Sequence, residues 1–196
     1  MNNILHYICT ADFVYSVLRV TTPILFAALA SVVAERSGAS NIALEGIMLF
    51  AALFGALGSG FSGSLALGFL AALAGGLVIT FLLLYFAMYL KTDIILAGIA
   101  LNTLAGGGTV FLMFAFTGDK GSTSSIVSSV FPHLSIPLIR DIPVLGQIVS
   151  GQNTLTYLAF LMTPAVWALL FKTRLGMRIR AVGENAEAAA SVGIHV

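Results

Sequence analysis

Five apolar stretches dominate this sequence, at residues 14–34, 41–58, 64–90, 94–117 and 154–171. A helix rises 1.5 Å per residue and the hydrocarbon core of a bilayer is about 30 Å thick, so about 20 apolar residues suffice to cross it. In water such stretches would need a polar shell, and the chain has little polar sequence to make one. Charged residues are 9% of the 196, against about 25% in an average soluble domain. Lipid is therefore the solvent for most of the chain. The expected fold is all-α, a polytopic transmembrane bundle of about five spans forming a single membrane domain over 1–196.

The polar residues narrow the function. A formal net charge of +1 gives no basic face for a nucleic acid. The single cysteine, Cys9, rules out an intrachain disulfide or a multi-cysteine metal site. The phosphate-cradling GxxxxGK[ST], HExxH and GxSxG patterns are absent. His6, His133 and His195 are far apart, and no nucleophile–base pair suggests itself, so no catalytic or metal residue is assigned and the chain is not read as an enzyme. The first ten residues lack the basic region and cleavage site of a signal peptide, so the first span is expected to be retained.

Along the chain, Arg19 can snorkel to the interface and Pro23 either kinks the first span or starts its regular part. The polar break Glu35–Asn41 follows. Ser40 or Asn41 is the expected N-cap of a helix running to about Gly58. Glu45 then has two readings: a carboxylate favoured by the helix dipole, or one facing a water-filled path. Residues 59–63 read as a tight turn. Gly68, Ala71, Ala72, Gly75 and Gly76 allow close backbone approach in lipid, whereas the bulky end of that span faces lipid, with Tyr85 and Tyr89 at the interface. After the break Lys91-Thr92-Asp93, the fourth span holds Asn102, which reads as an interhelical hydrogen bond or a substrate contact. Gly106-Gly107-Gly108 predicts close packing or a cavity lining. The proline-bearing loop 118–153 is expected along the membrane surface, and His133, standing alone, is not read as a metal ligand.

Lys172, Arg174, Arg178 and Arg180 form the densest basic cluster and place the 172–196 segment in the cytoplasm. Counting back puts Arg36 and Lys91 inside and the N-terminus outside. The segment 35–46 can alternatively be a broken or re-entrant element at mid-membrane. Beyond Gly183 and Glu184, Asn185 can cap a short helix, Ala186–Val192, with Glu187 in its first turn and Gly193 stopping it. Its mostly alanine face reads either as plain surface or as a docking face for a soluble partner.

TRLGMRIRAVGENAEAAASVGIHV closely resembles the coupling region of bacterial ABC-transporter permeases of the simple-sugar and nucleoside (guanosine-type) family. TPILFAALASVVAERSGASNIALEGIMLFAAL resembles that family's first core motif, and IPLIRDIPVLGQIVSGQNTLTYLAF its external loop and following span. Departures from the pattern are Ala30, Ser40 and Ala43, and Ala186 where proline often follows GEN; alanine at 186 should still permit the helix.

The resemblance implies a permease subunit of an ABC importer for a nucleoside or simple sugar, multi-pass in the bacterial cytoplasmic (inner) membrane. Its implied partners are a second permease subunit, a cytoplasmic ATP-binding subunit carrying ATP and magnesium, and an extracytoplasmic binding protein; the chain itself needs no cofactor. It assigns Asn41, Glu45 and Asn102 to the substrate path, and Glu184, Asn185, Glu187, Ala188 and Gly193 to the cytoplasmic coupling surface. Family members continue into further spans, so a partial chain is expected. The alternative is a channel or facilitator that works without ATP.

Overall fold

The computed structural model describes residues 11–118, 126–133 and 150–194. Cys9, His6, His195 and most of the 118–153 loop lie outside these. The described residues are helical nearly throughout, as expected: α1 (Ala11–Arg36), α2 (Leu44–Ser62), α3 (Leu65–Leu84) continued by a π-helical turn (Tyr85–Tyr89), α4 (Ile94–Thr117), α5 (Thr154–Lys172), α6 (Arg174–Glu184) and α7 (Ala186–Ser191). Five helices are long and apolar enough to cross a membrane, beginning at Phe13, Leu44, Leu65, Ile94 and Thr154. Large apolar side chains point outward along them, with Phe81 65%, Phe111 68% and Leu161 67% exposed. A water-soluble surface would not carry so many; lipid-facing helices do.

The chain divides into two compact units, one comprising residues up to Ser37 and from Phe131 onward, the other Gly38–Val130. In the second unit α2 and α3 form an antiparallel hairpin. Their contact is backbone-close because small residues meet small residues. A Cβ on Gly58 would lie 2.5 Å from Ala71 Cβ, one on Gly55 3.1 Å from Ala72 Cβ, and one on Gly68 2.5 Å from Ser59 Cβ. The small residues expected at 68–76 thus do their packing against α2, where dispersion replaces the hydrophobic effect as the driving force.

α2 does not stop near Gly58 but runs to Ser62, so the turn expected at 59–63 shrinks to Gly63 and Ser64. Two features mark this end. The hydroxyls of Ser59 and Ser62 donate to the carbonyls of Ala56 and Gly58 instead of competing with the helix, and Gly63 ends it at φ 63°.

α4 runs parallel to α2: Gly46 lies beside Asn102 and Ala105, Phe50 beside Gly108, and Leu53 and Leu57 cluster with Met113. The core between the three helices is Ala43, Phe50, Ile79, Leu83, Ala97, Leu101 and Ala105. Asp93, read from sequence only as part of a polar break, caps α4: its Oδ1 accepts from Ile95 N at 2.8 Å and Leu96 N at 3.4 Å. Of the two expectations for the triple glycine, close packing is not found. Among the described residues nothing lies within 4 Å of a Cβ built on Gly106 or Gly107, and Gly108 meets only the rim of Phe50.

The first unit holds α1, α5, α6 and α7. Thr22 of α1 and Thr156 of α5 share a buried hydrogen bond of 3.0 Å. Tyr15 Oη donates to the Gly151 carbonyl at 2.8 Å, and Gln152 Nε2 donates to the Tyr15 carbonyl at 3.1 Å. Such bonds hold spans together in lipid, where no water competes for the groups.

Candidate functional site

Two places gather the residues singled out in the sequence, one in each unit. The first is the break before α2. The cap residue is Ala43, not Ser40 or Asn41, and it has no side chain with which to cap. Asn41 acts earlier, its Oδ1 accepting from Ala43 N at 3.0 Å and turning the chain into the helix. An N-cap side chain usually takes the N–H of the third helical residue. Here that residue is Gly46, and its N–H donates instead to Oδ1 of Asn102 on α4, at 2.8 Å. The other end of the same carboxamide, Nδ2, donates to the Ile42 carbonyl at 2.8 Å. Asn102 therefore caps α2 from a neighbouring helix and clamps both sides of Ala43.

Glycines let the clamp close. A Cβ on Gly46 would be 3.1 Å from Asn102 Oδ1, and one on Gly98 3.1 Å from Ile42 Cβ and 3.2 Å from Ala43 N. Asn102 is two turns into α4, about 12 Å from that helix's start. The start of α2 is thus set well along the parallel span, beside the body of α4, and Glu45 stands exposed in its first turn. Of the three residues assigned to a substrate path, Asn41 and Asn102 meet on the 41–46 segment through backbone bonds, and Glu45 sits on the same segment.

The second place is the tail. α7 forms as Ala186–Ser191, one residue shorter than expected, with alanine at 186 tolerated. Asn185 ends α6 and caps α7, its Oδ1 accepting from Ala188 N at 3.0 Å. Gly193 at φ 84° closes the helix, its N–H donating to Ala190 O. Glu184, Glu187, Ala188 and Ala190 are exposed while Ala189 is buried, so one side of α7 is a low surface of alanine bearing one carboxylate.

Sequence reasoning missed α6 as a helix, because its arginines were read only as a topology signal. The spacing of Leu175, Ile179 and Val182, an i, i+4, i+7 stripe, and Thr173 as cap of Gly176 N were the available cues.

A family described as "Branched-chain amino acid transport system / permease component" matches residues 13–196. The guanosine ABC transporter permease protein NupQ of Bacillus subtilis (strain 168) is 37% identical over 98% of this chain and 60% of its own length. The nucleoside ABC transporter permease protein NupC of Lactococcus lactis subsp. cremoris (strain MG1363) is 35% identical over 93% of this chain and 59% of its own. The chain thus spans about three fifths of the length of these curated relatives. No solved structure matches at a significant level. With its five membrane-length helices and a family match over nearly all its residues, the chain belongs to the permease component family of branched-chain amino acid transport systems.

Proposed function

We propose that this chain is part of a permease subunit of an ABC importer and that it moves a nucleoside, or a related simple sugar, across the cytoplasmic membrane. Family membership supports the class, and the names of the two relatives support the nucleoside. The structural observation that carries the coupling role is α7, a capped helix presenting Ala188, Ala190 and Glu187 outward at the end of a short relay of helices. Such a face admits close docking of a soluble partner, because alanine loses no side-chain entropy when covered. ATP binding and hydrolysis then belong to the partner ATPase. A second permease subunit and an extracytoplasmic binding protein complete the machine. Asn41 and Glu45 contribute to the substrate path, on the segment that Asn102 holds in place.

Glu187→Arg in the complete transporter tests this reading. A charge reversal on a docked face typically costs several kcal/mol, so co-purification of the ATPase and substrate uptake should both fall at least about tenfold, with membrane insertion intact. Uptake and ATPase binding at wild-type levels would remove α7 from the interface. Uptake that persists without any ATPase subunit would instead establish an ATP-independent facilitator.

A further inference from the structure

We propose that Thr173 and Gly176 form a rigid elbow that makes α5, α6 and α7 move as one body, so that displacement of α7 is delivered to a membrane span without slack. The proposal rests on the coupling role given above to α7, and adds to it how the movement travels.

The three helices are joined by single residues. Thr173 (φ −107°, ψ 156°) separates α5 from α6, and Asn185 (φ −158°, ψ 105°) separates α6 from α7. A one-residue link has two free dihedrals and would flex unless something outside the link fixes the angle. At Thr173 three contacts fix it. The hydroxyl donates to the Leu169 carbonyl at 2.6 Å and accepts from Gly176 N at 3.1 Å, tying the last turn of α5 to the first turn of α6. Gly176 is buried directly against α5. A Cβ there would overlap the Leu169 carbonyl oxygen and come within 2.5 Å of the Leu170 carbonyl oxygen and 2.6 Å of Leu170 Cα. These are backbone atoms, which cannot swing aside as a side-chain tip can. One turn further on, the Arg180 guanidinium lies 4.9 Å over the Phe171 ring, a cation–π brace across the same angle.

Isolated helices as short as α6 and α7 are not stable in water, so their order comes from this seat. The Asn185 joint is tied to both of its helices: its N–H donates to the Ala181 carbonyl of α6 at 3.1 Å, its Oδ1 accepts from Ala188 N of α7 at 3.0 Å, and Ala189 is buried.

The experiment uses the complete transporter in proteoliposomes, with Cys9 replaced and spin labels at Leu161 of α5 and at Ser191 of α7, which is exposed but outside the docking residues named above. One body predicts a single narrow distance, unchanged between nucleotide-free and ATP-bound states; a nucleotide-dependent shift overturns the elbow. Thr173→Val keeps the side-chain shape and removes both hydrogen bonds. It should broaden the distance and raise ATP hydrolysed per substrate imported about fivefold or more. Thr173→Ser should restore both readouts, which a general folding defect would not allow, and Gly176→Ala should reproduce the Val phenotype with the ATPase still bound. An unchanged ATP-to-substrate ratio in assembled Thr173→Val and Gly176→Ala complexes also overturns the elbow. If Glu187→Arg has no effect while the label distance stays fixed, the docking reading fails and the elbow stands.

Discussion

Replacing Asn102 by leucine is expected to destabilise the chain by about 2 kcal/mol and to abolish uptake by the complete transporter. Interhelical hydrogen bonds in membranes average only about 0.6 kcal/mol, because groups released on unfolding find other partners. Asn102 differs in what it leaves behind. One truncation orphans the Gly46 N–H and the Ile42 carbonyl together, and Ala43, fully buried between them, has no side chain to replace the cap. Gly46 is buried, and its orphaned N–H costs about 1–3 kcal/mol, which outweighs the apolar contact leucine would gain; the Ile42 carbonyl, on an exposed residue, adds less. Asn102→Asp should fare no better: it can still accept from Gly46 but cannot donate to Ile42, and it carries a charge into the span. Reversible unfolding in bicelles measures the first effect and substrate uptake the second. Wild-type stability in Asn102→Leu would show that α2 begins without help from α4.

The glycines give the second large effect, and they should divide sharply. Gly58→Ala and Gly68→Ala are each expected to destabilise by about 1–3 kcal/mol, the usual range for overpacking. At these sites a single methyl lands 2.5 Å from Ala71 Cβ or Ser59 Cβ, and Ser59 backbone atoms lie only 3.0 Å from the one on Gly68. The hairpin would have to open to admit it. Gly106→Ala and Gly107→Ala meet nothing within 4 Å and gain helix propensity of up to about 1 kcal/mol, so they should be neutral or stabilising in the isolated chain. The four variants differ by the same methyl group, and the same unfolding assay separates them. Equal losses at all four positions would mean that propensity, not interhelical contact, sets the cost.

These contrasts show which parts of the structure were legible in the sequence. The spans were, because hydropathy over twenty residues is a strong local signal. The start and stop of α7 were, because Asn185 and Gly193 act on the backbone within three residues of themselves. The break before α2 was located, but its cap was not. Ser40 and Asn41 are better local caps than Ala43, and the rule fails because the donor at Gly46 is answered from 56 residues away. Gly176 escaped for a related reason: what excludes a Cβ there is the backbone of the preceding helix, visible only once the chain has turned at Thr173. The glycine triplet was expected to pack closely or to line a cavity; close packing is not what it does, since only Gly108 has even a distant neighbour among the described residues. Roles in the substrate path and in coupling were suggested by resemblance, and geometry adds to them the clamp and the elbow.

The two-residue link between α2 and α3 has a consequence for biogenesis. Gly63 and Ser64 span at most about 7 Å of extended chain, against about 30 Å of hydrocarbon. The two helices cannot take up a membrane position separately and must enter and be retained as a pair. They are unequally equipped for it: the most apolar 18-residue window has a mean hydropathy of 1.6 within Leu44–Ser62 and 2.5 within Leu65–Tyr89. The glycines that let α2 pack also thin its affinity for lipid, and its neighbour carries it in.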